Sequence, residues 1–427
     1  MIWRFLYNAM AVPLMTIVLL LSGLVSKKVR RGIKGRLGEG DRLRLARSRC
    51  RVNTPRIVVH CASAGELESA VPLMDEILKN WDVDIILTYY SPSAVERANK
   101  ISGPVDHFYL PIDSKRRIKR FLDTIEPSII LFVKHDYWPN LVWLAKDKRI
   151  PTVLVNGNFR PDSKRLKRIA IPFGRAVLPY LTAIFTIARD DAHRFQFLAG
   201  TGVDVLVVGD TRFDRVKQRA LSGRQDQGML ADKLSGKAVV IAGSTWPNDE
   251  KIVFEAFSKT RMEVDNAVLV LAPHEPSVER INQIHQQAEA LGFFAASLTE
   301  VESGVPITDI IIIDRVGVLA GMYGLGKIAY VGGGFGAGVH SVIEPAVFGI
   351  PVLFGPRYLV SHEARDLLKL GAAISVEEAD PVKEMFVNAL RDRDTSAEMG
   401  IKAGEFVENH TGVANKVSGE LGRLAGF

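Results

Sequence analysis

Short apolar runs alternate with stretches of helical periodicity from residue 56 onward, and this alternation limits the fold more than any other feature of the sequence. Apolar runs bounded by polar or glycine-containing segments are typical of buried strands. Strands that alternate with helices predict an α/β protein with parallel sheets. The predicted strands cover residues 57–60, 84–88, 128–133, 152–155, 183–187 and 204–208, and then 238–242, 267–271, 309–313, 328–331 and 351–354.

The two series of strands predict two Rossmann-like domains, because a chain of 427 residues is too long for a single hydrophobic core. A polar stretch rich in Ser, Gly and Gln separates the series and predicts a linker. Ligands of such sheets bind beyond the carboxyl ends of the strands, so we expect an interdomain cleft. The predicted segments are an N-terminal domain at 56–220, a linker at 221–236, a C-terminal domain at 237–405 and a C-terminal helix at 406–427.

The N-terminus carries an uncharged run of 22 residues between Arg4 and Lys27. As a helix this run would be roughly 33 Å long, which is enough to cross the hydrocarbon core of a bilayer. We interpret residues 1–26 as a membrane anchor that either spans the bilayer or lies in its interface, with a cleaved signal peptide and a buried core helix as alternatives. Because the core pattern starts at residue 56, we expect the two domains to fold without this anchor.

Basic side chains are concentrated directly after the uncharged run. The whole chain has 55 Lys and Arg against 48 Asp and Glu, but residues 27–51 alone hold eleven basic and two acidic side chains. A basic juxtamembrane segment at 27–55 predicts that the domains lie on the cytoplasmic side of the membrane. The rest of the chain is slightly acidic, which argues against a nucleic-acid-binding protein. Two cysteines exclude a disulfide scaffold and suit a reducing compartment.

Two loops that follow predicted strands of the N-terminal domain carry ionisable residues. Glu66 follows a turn of small residues and begins a helix, where it is either a catalytic base or an acid favoured by the helix dipole. Lys134 and Asp136 follow another buried strand and are either catalytic groups or part of a polar loop anchored by Trp138. His60 lies nearby in the sequence, but no spacing typical of a metal site accompanies it, so no metal is predicted.

Two further turns contain candidate phosphate-binding side chains. Arg212 lies between the sixth strand and the linker, where it could stabilise phosphate charge or form a salt bridge with Asp210 or Asp214. Ser244 and Thr245 occupy a strand-to-helix turn at the start of the second series. Their hydroxyls could cap the helix or bind a phosphate, but the turn lacks the Gly-Lys-Ser/Thr of a P-loop.

A glycine-rich turn late in the second series is the most specific local pattern. Residues 332–338 contain five glycines in the order Gly-Gly-Gly-Phe-Gly-Ala-Gly, which allows the backbone to approach a phosphate. We expect a helix to begin near Ser341, with Glu344 in its first turn as an acceptor for ribose hydroxyls. Pro273 and His274 follow another strand and are expected to face the same cleft.

These motifs resemble the bacterial 3-deoxy-D-manno-octulosonic acid (Kdo) transferases, lipid A glycosyltransferases with a GT-B fold. The family has two glutamates where this chain has Lys134 and Asp136, and a lysine where it has Arg212. The resemblance runs along nearly the whole chain and is carried by Ser63-Ala64-Gly65-Glu66, Trp138-Pro139-Asn140, the segment from Gly209 to Asp214, Ser244-Thr245, and the segment from Gly338-Val339-His340-Ser341 to Glu344-Pro345-Ala346.

The resemblance implies that Kdo passes from CMP-Kdo to lipid IVA with inversion at the anomeric carbon, in lipopolysaccharide synthesis at the inner membrane. Glu66 would be the base, with Lys134 and Asp136 beside it. Arg212 and the helix after the glycine-rich turn would stabilise the phosphate charge. The residues expected to hold CMP are Ser244, Thr245, Pro273, His274, Val316, Gly317, Val318, Gly338, His340, Ser341, Val342, Ile343 and Glu344.

The resemblance implies no cofactor, no metal and no nucleic-acid partner. The basic side chains would bind anionic lipids of the inner membrane and the phosphorylated acceptor. Two alternatives remain: a transferase or epimerase of the same fold that uses a UDP-sugar, and a non-catalytic membrane-bound sensor of nucleotide sugars. The basic residues expected near the acceptor are those of 27–51 and a second cluster formed by Arg160, Lys164, Arg165, Lys167 and Arg168.

Overall fold

The computed structural model describes residues 2–134, 136–159, 162–226 and 228–426, and gives no side-chain positions for 224–229. The chain divides into two compact units. Unit 1 contains Met1–Arg215 and Gly412–Phe427, and unit 2 contains Val216–Thr411. The boundary between the two units lies within a helix. The predicted linker at 221–236 is also mostly helical rather than an open loop. The predicted C-terminal helix at 406–427 consists of parts of two helices that belong to different units.

Unit 1 contains a parallel sheet of seven strands in the order β3-β2-β1-β4-β5-β6-β7. This order reverses direction between β1 and β4, which is where Rossmann-like sheets place their ligands. The strands are β1 Arg56–Cys61, β2 Asp84–Tyr89, β3 Asp106–Tyr109, β4 Ile129–Val133, β5 Thr152–Gly157, β6 Ala183–Thr186 and β7 Asp204–Val207.

The first strand shows why this sheet forms. Val58 packs into one hydrophobic cluster, whereas Ile57 and Val59 pack into the cluster on the opposite face. Helices cover both faces, so the run from Ile57 to Val59 is apolar throughout. The α-helices of unit 1 are α1 Ile2–Leu6, α2 Val12–Val25, α3 Lys27–Gly35, α4 Glu39–Arg49, α5 Ala64–Asn80, α6 Ser93–Ala98, α7 Lys115–Ile125, α8 Pro139–Asp147, α9 Ile171–Val177 and α10 Arg189–Ala199.

Unit 2 repeats the architecture with a second parallel seven-stranded sheet, in the order β10-β11-β9-β8-β12-β13-β14. Its central strand again divides its side chains, because Val240 and Ala242 face one cluster while Val239 and Ile241 face the other. The prediction of two Rossmann-like parallel sheets is confirmed. The strands are β8 Ala238–Thr245, β9 Ala267–Pro273, β10 Ala295–Ser297, β11 Ile310–Ile312, β12 Ile328–Val331, β13 Val352–Phe354 and β14 Ala373–Ser375.

The remaining helices connect the strands of unit 2 and return the chain to unit 1. The first of them starts in unit 1, and the last lies wholly in unit 1. They are α11 Arg212–Asp226, α12 Gly228–Lys233, α13 Pro247–Arg261, α14 Val278–Ala290, α15 Leu298–Glu302, α16 Leu319–Met322, α17 Ile343–Ala346, α18 His362–Lys369, α19 Ala379–Leu390, α20 Asp394–Asn409 and α21 Val413–Ala425.

The N-terminal segment is helical from Ile2 to Val25, with a π-helical turn at Tyr7–Ala11 between α1 and α2. By length and composition this stretch is apolar enough to cross a membrane, and most of it is exposed. Tyr7 and Val12, however, are buried in a hydrophobic cluster of unit 1. The expectation that the core starts at residue 56 is therefore wrong, since unit 1 includes side chains of the supposed anchor.

Candidate active site

The carboxyl ends of β1 and β4 carry the residues predicted for catalysis in unit 1. The two strands are hydrogen-bonded neighbours, and His60 of β1 lies opposite Phe132 of β4. The loops that follow therefore leave the same edge of the sheet side by side. The loop after β1 leads to Glu66, and the loop after β4 contains Lys134 and Asp136.

Glu66 lies in the first turn of α5 and is only 6% exposed. Its Oε2 accepts a hydrogen bond of 2.5 Å from the backbone N–H of Ala62. Burial is the main cause that raises the pKa of Glu66 to about 7, and the negative charge of Asp136 raises it further. The N–H of Ala62 and the charge of Lys134 act in the opposite direction. A carboxyl group with a pKa near neutrality is suited to accept a proton as a general base.

Lys134 and Asp136 complete a group of interacting charges around Glu66. Lys134 follows β4 with a φ of +66°, a left-handed conformation that costs a lysine roughly 1 kcal/mol or more. Its backbone N–H donates to the carbonyl of Val155 at 2.7 Å, which fixes the turn. The Oδ1 of Asp136 lies 3.8 Å from the guanidinium of Arg165. Arg165, predicted to meet anionic lipid, therefore contacts the loop beside Glu66.

His60 supports this loop as a neutral side chain. It is fully buried, and burial lowers its pKa to about 3. Its Nε2 accepts a hydrogen bond of 3.0 Å from the indole N–H of Trp138, which leaves Nδ1 to donate to the hydroxyl of Thr88, also at 3.0 Å. The neighbouring Cys61 is buried as well, and its pKa is raised well above the ordinary value. Both residues stabilise the strand end rather than exchange protons.

Arg212 starts α11 and is paired with a buried carboxylate. Its Nε donates to Asp210 Oδ2 at 2.7 Å, and its backbone N–H donates to Asp210 Oδ1 at 2.9 Å. The neighbouring hydroxyl of Thr211 donates to the carbonyl of Ser69, about one helical turn beyond Glu66. The salt bridge considered from the sequence is thus present, and it orients a guanidinium whose side chain is 41% exposed.

In unit 2, the turn between β8 and α13 is fixed by a buried aspartate that the sequence analysis missed. Asp249 accepts hydrogen bonds of 2.9 Å from the backbone N–H groups of Trp246 and Gly333, and one of 3.0 Å from the Tyr330 hydroxyl. Asp249 therefore caps the helix and holds the glycine-rich turn with the same carboxylate. The available signal was an aspartate in the first turn of a helix that begins with proline.

The two hydroxyl residues of this turn differ in their surroundings. Thr245 is buried and its hydroxyl donates to Glu250 at 3.0 Å, so it stabilises the turn. Ser244 has a φ of +55°, a strained conformation found at the carboxyl edge of the sheet, as for Lys134 in unit 1. Neither hydroxyl caps α13, because the carboxylate of Asp249 does so.

The glycine-rich turn after β12 folds back on itself. Gly333 has a φ of +92° and Gly338 a φ of +126°, both unfavourable for other residues. The N–H of Gly338 donates to the carbonyl of Gly333 at 3.1 Å, and a Cβ on Gly333 would collide with the Gly338 carbonyl oxygen. Arg357, a residue the sequence analysis did not select, donates to the carbonyl of Gly336 at 2.9 Å. Backbone geometry, rather than side chains, forms this part of the site.

Three aromatic rings stack beside the turn. The ring of His274 stacks on Trp246 at 4.8 Å and on His340 at 4.3 Å between centroids. The indole N–H of Trp246 donates to His340 Nε2 at 3.0 Å. Burial, followed by the charge of His274, lowers the pKa of His340. Trp246 is 39% exposed, so it presents a flat surface that the sequence analysis did not predict.

The helix expected after the glycine-rich turn begins at Ile343, two residues later than predicted, and has only four residues. The prediction that its dipole stabilises a phosphate is weakened, because the dipole of a single turn is small. Val342 and Ile343 are buried and could contact a ligand only through the backbone, whereas Ser341 is exposed. Glu344 is half-buried and lines a small cavity together with Arg219.

The loop before α16 has a more open structure. Gly317 has a φ of +99°, and Val316 is 80% exposed, while Val318 precedes the helix. Pro273 ends β9 and leads into His274. Across the described part of the chain, no group of three or more His, Cys, Asp or Glu side chains has the geometry of a metal site.

Comparison with solved structures defines the class. The chain is similar to the crystal structure of UDP-GlcNAc 2-epimerase from Neisseria meningitidis bound to UDP-GlcNAc, with a TM-score of 0.56 and 12% identity over 84% of this chain and all of that chain. At this identity the likeness concerns the fold alone. Together with the two parallel sheets and their glycine-rich and acidic strand ends, it defines a protein of the GT-B type.

Comparison of sequences shows which family within that class the chain resembles. Residues 32–215 match the family model described as 3-Deoxy-D-manno-octulosonic-acid transferase (kdotransferase). The 3-deoxy-D-manno-octulosonic acid transferase of Aquifex aeolicus is 29% identical over 72% of this chain and 77% of its own length. The transferase of Haemophilus influenzae is 27% identical over 94% of both chains. These findings confirm the resemblance of this chain to the Kdo transferases, a family of glycosyltransferases.

Proposed function

We propose that the protein transfers Kdo from CMP-Kdo to lipid IVA during lipopolysaccharide synthesis, at the cytoplasmic face of the inner membrane. The observation that carries this proposal is Glu66, a buried carboxyl group with a pKa of about 7 at the strand edge of a Kdo transferase family domain. Inverting transfer to a hydroxyl group requires one base, and Glu66 has the position and the pKa for that role.

The proposed reaction is a single displacement with inversion. The acceptor hydroxyl oxygen bonds to the anomeric carbon of Kdo while the bond from that carbon to the CMP phosphate oxygen breaks. The hydroxyl proton passes to the Glu66 carboxylate, and the electron pair of the broken bond leaves with CMP. Burial keeps the pKa of Glu66 high, Asp136 adds to the increase and Lys134 limits it, so the two charged residues adjust the basicity of the carboxylate.

Unit 2 is proposed to hold the donor. Backbone N–H groups of the glycine-rich turn and the hydroxyl of Ser341 are suited to bind phosphate oxygens. The surface formed by Trp246, His274 and His340 is suited to stack against a planar ring. Arg212, oriented by Asp210, would stabilise the negative charge that develops on CMP as it leaves.

The direct test is product analysis by mass spectrometry. The purified full-length protein would be incubated with lipid IVA and CMP-Kdo, and in parallel reactions with UDP-sugars. We expect one or more Kdo residues on lipid IVA and no product from the UDP-sugars. Turnover of a UDP-sugar in the absence of Kdo transfer would support the alternative reading, and binding of CMP-Kdo without any product would support a sensor.

A further inference from the structure

We propose that the N-terminal helix does not cross the membrane but lies along one leaflet, and that its first residues lock it to unit 1 so that the loop beside Glu66 is held at a fixed height above the lipid. The proposal rests on the proposed function in one respect, which is that the loop beside Glu66 acts on a lipid acceptor. The position of the helix follows from contacts that are independent of catalysis.

Several of the first residues of the segment contact the folded part of unit 1, although Ile2 and Phe5 remain exposed. Arg4 donates to both carboxylate oxygens of Asp147, at 3.1 and 2.8 Å. The ring of Tyr7 lies 5.7 Å from that of Trp143 and stacks on Phe173 at 5.8 Å. An ion pair and a buried aromatic contact of this kind would be lost if these residues entered the bilayer core.

A set of polar hydrogen bonds, here called the junction, ties the same turn to the start of α8. The hydroxyl of Tyr7 donates to Asp113 Oδ2 at 2.8 Å. The Asp113 carboxylate also accepts from the backbone N–H groups of Asn140 and Leu141 at 2.9 and 3.1 Å. The side-chain amides of Asn8 and Asn140 exchange hydrogen bonds of 2.9 and 3.0 Å. These groups satisfy one another at a site where Asp113 and Asn140 are buried.

The part of the segment that follows these contacts is too short to span a bilayer. After Val12, which is buried, α2 ends at Val25. Thirteen further residues of helix extend about 20 Å, compared with about 30 Å for the hydrocarbon core. A transmembrane arrangement would need the residues that the junction and Asp147 already hold.

Only a narrow face of α2 is covered, and most of its remaining surface is exposed. Val12, Thr16, Leu19 and Gly23 follow helical spacing and are buried or half-buried. The stripe two residues further along, about 200° around the helix, is exposed and wholly apolar. It contains Leu14 at 61%, Val18 at 53%, Leu21 at 58% and Val25 at 89% exposure. A soluble protein rarely leaves such a stripe uncovered, and a lipid surface is the partner that its chemistry fits.

The helix that follows folds back beside α2 and returns the chain to unit 1. Arg30 donates from Nε to the carbonyl of Gly23 at 3.0 Å and from a terminal nitrogen to that of Leu24 at 2.7 Å. Arg36 then donates to the carbonyl of Tyr90 at 2.8 Å and lies over its ring at 4.5 Å. Both ends of α2 are therefore attached to the same unit, whereas the ends of a spanning helix lie on opposite sides of the membrane.

Charge supports the same orientation. Lys27 and Lys28 of α3 directly follow the end of the apolar stripe, where they can reach anionic headgroups. A second basic segment lies next to the N-terminal helix, because Ile169 is 88% exposed and Phe173, four residues later, packs against Tyr7. Of the predicted basic cluster, Lys164, Lys167 and Arg168 are exposed there, Arg165 contacts Asp136, and Arg160 lies outside the described residues.

The junction lies close to the proposed active site along the chain. Asn140, which pairs with Asn8, is four residues after Asp136, which raises the pKa of Glu66. Four residues span at most about 14 Å even when fully extended. A change in the height of the helix relative to the lipid would therefore also move the loop beside Glu66, because only a short, partly buried segment connects the two.

The position of the helix can be tested without measuring transfer. Spin labels would be placed on the full-length protein by the substitutions Leu14→Cys, Val18→Cys, Leu21→Cys and Val25→Cys, since the native Cys50 and Cys61 are buried. Their depth would be measured in vesicles of phosphatidylethanolamine and phosphatidylglycerol. A helix along one leaflet places all four labels at similar depth. A gradient of about 16 Å from Leu14 to Val25 would overturn the proposal.

The role of the junction requires a kinetic readout. Asn8→Ala combined with Tyr7→Phe leaves the apolar stripe intact, so binding to vesicles should be unchanged while the KM for lipid IVA in vesicles rises at least several-fold and the KM for the donor stays the same. Thr16→Val, which removes only a hydrogen bond within α2, is the control. An unchanged KM for the acceptor would overturn the positioning role, and inactivity of the wild-type protein would instead refute the proposed function.

Discussion

Unit 1 and unit 2 contain the same type of sheet, but different atoms carry the chemistry at their carboxyl edges. In unit 1 the candidates are ionisable side chains. Glu66 is buried, and the charges of Asp136 and Lys134 shift its pKa in opposite directions. In unit 2 the corresponding edge is formed by the backbone of the glycine-rich turn and by stacked rings. The first arrangement depends on protonation, and the second depends on conformation.

This difference predicts which substitutions should impair each unit. The departures from the family pattern in unit 1 exchange ionisable side chains for others, at Lys134, Asp136 and Arg212, and thereby alter the balance of charge around one carboxylate. In unit 2 the chain has Val339 and Ser341 where the family that it resembles has glycine and asparagine, and the strained glycines remain in place. We therefore expect charge-neutralising variants to act in unit 1 and glycine variants to act in unit 2.

The largest effect is expected for Glu66→Gln. The amide keeps the shape of the side chain and can still accept from the N–H of Ala62, but it cannot take a proton. Turnover should fall by about 10²–10⁴-fold, while CMP binding, measured by calorimetry, stays near the wild-type value. Full turnover at saturating donor would show that Glu66 is not the base and would make Asp136 the next candidate.

A matched control for this variant must be a glutamate outside the charge network. Glu68 is nearer in sequence, but it forms ion pairs with Arg97 and Arg215 and its removal would disturb packing. Glu96 is exposed and has one weak ion pair, at 3.5 Å from Arg31. Glu96→Gln should change neither turnover nor CMP binding.

The second prediction concerns the conformation of the glycine-rich turn. Gly333→Ala forces a side chain into a φ of +92° and against the carbonyl oxygen of Gly338. A strain of roughly 1–3 kcal/mol corresponds to a 5- to 150-fold loss of CMP affinity, with thermal unfolding of unit 1 unaffected. Gly336→Ala is the control, because its nearest neighbouring atom would be 3.8 Å away. Equal affinities for the two variants would contradict a site built from backbone.

The third prediction concerns pH. Because Glu66 must be ionised to act as a base, turnover should rise as the pH increases, with a midpoint near 7 and about a tenfold gain between pH 6 and 8. Asp136→Asn removes a negative charge that raises the pKa of Glu66, so the midpoint should move to lower pH. A pH–rate profile of both proteins measures this shift, and a midpoint that moves upward would refute the assigned charge balance.

The smallest effect is expected for metal removal. Arg212 and backbone N–H groups are proposed to supply the positive charge that faces one phosphate. The carboxylates of Asp82 and Asp84, which are close in sequence, are both paired with Arg51 at the start of β2, away from the carboxyl edge. Transfer should therefore be unchanged in EDTA. Loss of activity that magnesium or manganese restores would show that a metal takes part.

The sequence alone was sufficient to predict the central strands of both sheets, but not the edges. The three strands that were missed, β3, β10 and β14, all lie at an edge and have only three or four residues. Edge strands of this length are partly solvent-exposed, so they lack the long apolar run that identifies a buried strand. The edge strand β7 was predicted because three of its four residues are apolar despite their exposure.

For the candidate site, the residue types were predictable but their surroundings were not. The position of Glu66 after a strand was evident, whereas its burial and its neighbour Asp136, which together raise its pKa, depend on the pairing of β1 with β4. The junction was missed for a similar reason. Tyr7 and Asn8 are two uncharged residues in an apolar run, and their partners Asp113 and Asn140 are more than 100 residues away.

The return of α21 to unit 1 has a consequence for the order in which the protein is made. Val413, Val417 and Leu421 pack into the cluster that also contains side chains of α5, and Asp214 accepts hydrogen bonds from the N–H groups of Gly412 and Ala414 at 2.6 and 2.8 Å. The ribosome releases these residues only after all of unit 2 has been synthesised. Unit 2 can thus fold during translation, whereas the half that carries Glu66 becomes complete only when synthesis ends.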